Sequence, residues 1–132
     1  MQKIKFRCWD KNKKQMRAVR DICFDQYGTI DVYCECDDIN EPAKGNDSLM
    51  QFTGLLDRNG KEIYEGDIVE WKYLKTWHKN EVRWVGGGFV VTTSGFKDDL
   101  NEPQDLLLVS ILSCEIIGNI YENPELLNPH TT

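Results

Sequence analysis

Histidine is nearly absent from this chain, with only His78 and His130 among 132 residues. Nucleophilic catalysis by Ser or Cys needs a histidine base and an orienting acid, and His130 sits in the terminal tail. That leaves His78 alone, and no G-x-S-x-G block surrounds any serine. The glycine run "VGGGFV" at 85–90 lacks the Lys-Ser/Thr and the following helix of a phosphate-binding loop. An enzyme is therefore not expected, and neither is a cofactor. Long apolar runs are missing too, and nothing approaches the roughly 20 residues of a membrane span. The opening "MQKIKFRCWDKNKKQM" is charged without an apolar stretch, so it does not read as a signal peptide. Five cysteines, an odd number, then read as reduced thiols of a cytoplasmic protein.

What is present is ordinary for a folded protein. Hydrophobic residues make up 40% and charged residues 29%, which excludes wholesale disorder. The length suits one compact domain or a barrel with an added lobe. A net charge of −6 argues against a dedicated DNA binder. The charge alternates in blocks: +7 over residues 1–20, −10 over 21–70, +4 over 71–97, and −7 over 98–132, where Lys and Arg are absent. Such blocks suit internal pairing or contact between copies as well as an outside partner.

Period-two patterns dominate. "KIKFRCWD" places Ile4, Phe6 and Cys8 on one face and Lys5, Arg7 and Trp9 on the other. "MRAVRDICF" keeps Met16, Ala18, Ile22 and Phe24 mostly in phase, and "TIDVYCEC" aligns Ile30, Val32, Cys34 and Cys36. The polar stretch 37–48, "DDINEPAKGNDS", reads as a loop and the best internal boundary. Beyond it, Asn59-Gly60 signals a hairpin and Glu65-Gly66-Asp67 a second turn. In "IVEWKY", Val69, Trp71 and Tyr73 share a face; "LKTWHKN" (74–80) reads as a loop. Residues 104–110 suit a short helical turn or a strand equally, and "CEIIGNIY" is the last strand. About eight short strands with one helical turn predict an all-β barrel or sandwich.

Three stretches, "FRCWDKNKKQM" (6–16), "LMQFTGLLDRNGKEIYEGDIVEW" (49–71) and "EIIGNIYENPELL" (115–127), resemble the YopX family of small phage and prophage proteins. The resemblance runs over nearly the whole chain, with departures at Cys8 and in "YCEC". It implies an SH3-type β-barrel formed by the C-terminal two thirds. With the strand patterns, the chain reads as that barrel over 49–132 and an N-terminal β-hairpin lobe over 1–48, packed as one compact unit. The resemblance implies no activity. On that reading Gly66 permits a sharp turn into the following strand, and Asp67 accepts backbone N–H groups there.

The acids Asp57, Glu62, Glu65, Asp67 and Glu70 are weighed as an acid–base or Ca²⁺ site, but their spacing fails the EF-hand pattern. Turn chemistry on a solvated face is the better account. Cys34-x-Cys36 lacks the second pair and the gap of a zinc site, so both read as core thiols. The informative stretch is "WKYLKTWHKNEVRW" (71–84), which interleaves aromatic and basic residues. From it come the candidate surface residues Trp77, Lys75, His78, Lys79 and Arg83. Trp and Tyr are common protein-interface anchors, which favours a binding module for a host or phage protein, with association between copies as a further option. Stacking on unpaired bases, with Lys and Arg on phosphates, is the alternative, and a self-assembling structural component is a third. No membrane partner is expected.

Overall fold

The structure is a computed structural model that describes residues 3–35, 48–73, 75–93, 104–111 and 113–127. Cys36, His130 and most of the polar 37–48 stretch lie outside these residues. The chain divides into two compact units, Met1–Phe52 and Thr53–Thr132.

The first unit is antiparallel β throughout. β1 (Phe6–Asp10) forms a hairpin with β2 (Gln15–Phe24), closed by Asp10, whose Oδ1 accepts the N–H groups of Asn12 (2.9 Å) and Lys13 (3.0 Å). Those donors hold the Asp10 carboxyl below its ordinary value. β2 continues into β3 (Ile30–Cys34) through a turn in which Asp25 Oδ1 accepts from Tyr27 and Thr29. On its other side β1 pairs with the start of β4 (Leu49–Leu56), Arg7 opposite Met50 and Cys8 opposite Leu49.

Two strands depart from simple alternation. Trp9, expected on the solvent side with Arg7, is only 8% exposed and lies next to buried Cys8. Ser48 secures this pair: its hydroxyl donates to the Trp9 carbonyl (2.9 Å) and lies 3.4 Å from Cys8 Sγ. Ile4 precedes the strand and is 73% exposed. In β2 a register shift between Val19 and Asp21 rotates the following residues, and Phe24 ends 75% exposed. β3 keeps its pattern, with Val32 and Cys34 buried.

The second unit holds the rest of β4, the short β5 (Glu62–Tyr64), β6 (Asp67–Tyr73), β7 (Thr76–Val85), β8 (Gly88–Thr93), β9 (Gln104–Leu107) and β10 (Cys114–Asn119). The last five form one antiparallel sheet in the order β10-β6-β7-β8-β9. Both readings of residues 104–110 prove correct in turn: β9 runs to Leu107, and a 3₁₀ turn covers Leu108–Ser110. A second 3₁₀ turn covers Pro124–Leu127. The all-β class is as expected. Among the described residues no strand pairing closes the sheet into a barrel, so β10 and β9 remain its outer strands. No described helix is long and apolar enough to cross a membrane.

The core of this unit is Ile63, Val69, Trp71, Val82, Val91, Leu108 and Cys114, with Leu55, Phe89, Leu106, Ile111 and Ile116 packed around it. The stretch 74–80 proves mainly strand, since β7 starts at Thr76 and only a tight turn separates it from Tyr73. Its polar composition suggests a loop, but His78, Asn80 and Val82 alternate inward and Asn80 satisfies a buried donor, the indole N–H of Trp71 (2.8 Å).

Gly66 makes the turn that starts β6. Its φ is 83°, its N–H donates to the Val82 carbonyl, and its own carbonyl accepts from Ile120. Asp67 Oδ2 accepts the Tyr64 N–H at 2.8 Å, as the turn reading anticipated. Gly66→Ala should therefore cost about 1–2 kcal/mol, the penalty of a left-handed non-glycine residue. Urea unfolding should show a lower midpoint with an unchanged slope.

Candidate functional site

The sequence "LLDRNGKEI" positions the first part of the site. Asp57 is buried and accepts three backbone N–H groups, from Asn59 and Lys61 on Oδ1 (2.9 Å each) and from Ile116 on Oδ2 (3.1 Å). The Gly60 N–H returns to the Asp57 carbonyl at 3.0 Å, with φ of 81° at Gly60. Only the glycine of the Asn59-Gly60 pair takes positive φ, so the turn uses one left-handed residue rather than two. Its outcome is the placement of Arg58. The Arg58 N–H donates to the Cys114 carbonyl at 2.9 Å, and its guanidinium pairs with Glu115.

The β6–β7 hairpin supplies the other wall. Its register sets Trp71 opposite His78, Lys72 opposite Trp77 and Tyr73 opposite Thr76. Trp71 is buried, with its ring stacked on His78 at 4.6 Å between centroids and its N–H on Asn80. Trp77 is 52% exposed and Tyr73 is 51% exposed. Lys72 Nζ lies 5.5 Å from the centre of the Trp77 ring, within cation–π range. Between this hairpin and Arg58 opens a groove of about 450 Å³. Trp71, Leu106 and Ile111 contribute apolar surface, Tyr73 and Trp77 contribute aromatic surface, and Ser113, Arg58 and Lys72 are the other described residues of the lining. That volume falls in the range of sites that enclose a small ligand or a few side chains. A smaller cavity of about 170 Å³ beside it includes Asp57, Ile63, Leu108 and Cys114.

The five residues singled out in the sequence divide between the groove and the rest of the hairpin. Trp77 lines the groove. Lys75 is exposed in the turn but is not part of the lining. His78 turns inward onto Trp71, and burial lowers its pKa below the ordinary 6.5. Lys79 is exposed opposite Glu70. Arg83 lies six positions along β7 from Trp77, roughly 20 Å at strand rise. There it faces the charge of Glu81, whose pKa burial raises and Arg83 counters. Arg58, Tyr73, Leu106, Ile111 and Ser113 join Trp77 instead. Their only sequence signal is the aromatic at 73, because the others come from the 57–61 turn and from around the 3₁₀ turn.

Matching against known families assigns residues 5–128 to the family described as YopX protein. The chain belongs to the YopX family. None of the curated proteins matches this YopX chain. Among solved structures it is similar to protein EF1440 from Enterococcus faecalis. The two are 28% identical, with a TM-score of 0.61 over 96% of this chain and 99% of the other. The resemblance carried by the three quoted stretches is therefore a family relationship, and it covers both units.

The Asp57 turn gives a sharp test. Burial would push its pKa up, but the N–H groups of Ile116, Lys61 and Asn59 and the Lys61 charge outweigh this and hold it below 3.8. Its folded-state pKa is depressed, so its contribution is complete above pH 3.8 and is lost as pH falls through the lower folded value. Asp57→Ala should lower stability by about 2–4 kcal/mol at pH 7, since several buried N–H donors lose a charged acceptor. Urea unfolding against pH should show the two curves converging only in that acid range.

Proposed function

We propose that this YopX-family chain is a non-enzymatic protein-binding module of phage or prophage origin. It acts in the cytoplasm of the bacterial host and contacts a host or phage protein. One observation carries the reading: two half-exposed aromatic rings, Tyr73 and Trp77, stand beside an apolar floor with two cations at hand. Exposed rings of this kind lose water on docking and cost little side-chain entropy to hold, which is why they anchor protein interfaces. The β6–β7–β8 meander, the 3₁₀ turn Leu108–Ser110 and the return of β10 to β6 support reading the second unit as an SH3-type barrel.

Single-stranded nucleic acid is the second reading, because Trp77, Lys72 and Arg58 combine stacking surface with positive charge. Two facts rank it lower. The second unit carries seven Lys/Arg against thirteen Asp/Glu, a net charge of −6 that repels a polyphosphate. Trp71, moreover, has one ring face occupied by His78.

Tagged protein should be used to capture partners from lysate of an infected or lysogenic host, with and without nuclease. A discrete protein should survive nuclease and be lost with Trp77→Ala, a substitution expected to weaken binding by at least about tenfold. Recovery of nucleic acid, with every co-purifying protein removed by nuclease, would establish the second reading in its place.

A further inference from the structure

The charge around the groove is opposite to that of the unit that carries it. Among the residues of Thr53–Thr132 whose side chains are described, none of the nine acids lines the groove, yet two of the six bases do. A chance sample of this unit would place more acids than bases there. Both cations are held in place. Lys72 is exposed on β6 and kept over Trp77 by the hairpin register. Arg58 is fixed by the Asp57 turn and by Glu115. The ion pair with Glu115 is made through Nη2, and Arg58 is also one of the residues that line the groove.

Resting on the protein-binding reading above, we infer that the groove takes a short acidic peptide segment. One bulky apolar side chain of that segment packs on Trp71, Leu106 and Ile111 between the rings of Tyr73 and Trp77. Flanking Asp or Glu carboxylates lie against Lys72 and Arg58. The volume of about 450 Å³ accommodates a few side chains and not a folded surface. Two cations match two carboxylates, whereas the repeated phosphates of a nucleic acid strand would meet the acidic remainder of the unit. Strand segments with a single anchor and alternate contacts are a common way to bind an open β surface of this kind.

The probe is a ribosome-displayed library of random dodecapeptides, selected on the full-length protein and counter-selected on Trp77→Ala. Enriched sequences should carry at least two Asp or Glu around one Phe, Leu, Trp or Pro. A fluorescein-labelled consensus peptide, read by anisotropy, should bind Trp77→Ala about tenfold more weakly. Lys72→Glu should weaken binding by about fivefold or more, and raising salt should lower affinity only modestly. Lys13→Glu makes the same charge change on an exposed lysine of the first unit and should leave binding within about twofold. Circular dichroism should show all three variants folded, since each replaces an exposed side chain.

Enriched peptides that are neutral or basic would overturn the inference, as would enrichment indifferent to Trp77. So would Lys13→Glu acting as strongly as Lys72→Glu, because net charge and not the groove would then govern binding. Labelled decathymidylate bound as tightly as the peptide would replace the inference with nucleic acid. Failure of the selection alongside a Trp77-dependent protein from host lysate would remove the acidic-peptide occupant and leave the binding module standing.

Discussion

The carboxylate of Asp57 holds the second unit's turn and last strand together. One oxygen closes the 57–61 turn on two N–H groups, and the other accepts from Ile116 in β10. A single buried side chain thereby joins segments 59 positions apart in sequence. Burying a carboxylate is costly unless its oxygens are bonded, and three backbone donors supply that compensation. The same arrangement aims Arg58 at the groove and brings its N–H to the Cys114 carbonyl. An acid that reads as one of a charged cluster is thus a structural clamp whose by-product is a positioned cation.

The β6–β7 hairpin does the complementary sorting. Its inward residues, Trp71, Asn80 and Val82, bury an aromatic, its hydrogen-bond partner and an aliphatic side by side. Its outward residues, Lys72, Trp77, Lys79 and Arg83, are left in solvent. Asn80 matters because an indole N–H buried without an acceptor would cost on the order of 1–3 kcal/mol. Burial lowers the His78 pKa, and its ring stacks on Trp71 and so serves packing more than surface chemistry. Three of the four described thiols follow the same rule: Cys8, Cys34 and Cys114 are buried free cysteines while Cys23 is exposed, and burial pushes the Cys114 pKa up, away from the reactive thiolate.

Charge segregation links this architecture to the functional reading. Among the described residues, this acidic unit places two cations and no acid around an aromatic groove. Membership of the YopX family and the likeness to EF1440 place that architecture in a wider set of chains. The chemistry of recognition, however, is argued from the groove itself.

Local rules accounted for the elements whose stability is local. Period-two patterning gave the strand character of β3 and β6, and Gly60 and Gly66 marked turns that need a left-handed backbone. Family membership was legible in three stretches because turn residues and buried positions there are held in a specific order. Alternation failed at Trp9, which is buried and whose carbonyl accepts from Ser48 39 positions on, and in β2, where Phe24 faces outward after a bulge. The site was only half legible. Trp77 and its lysine neighbours stand out by composition, but the turn of Arg58 and the 3₁₀ region with Ile111 come together only when the sheet forms. Sequence by itself determined the all-β class, the family and the aromatic-basic composition of residues 71–84, since each depends on neighbouring residues. The tertiary structure decided which of those side chains face one groove, because strand register and the Asp57 clamp act between segments that no local pattern connects.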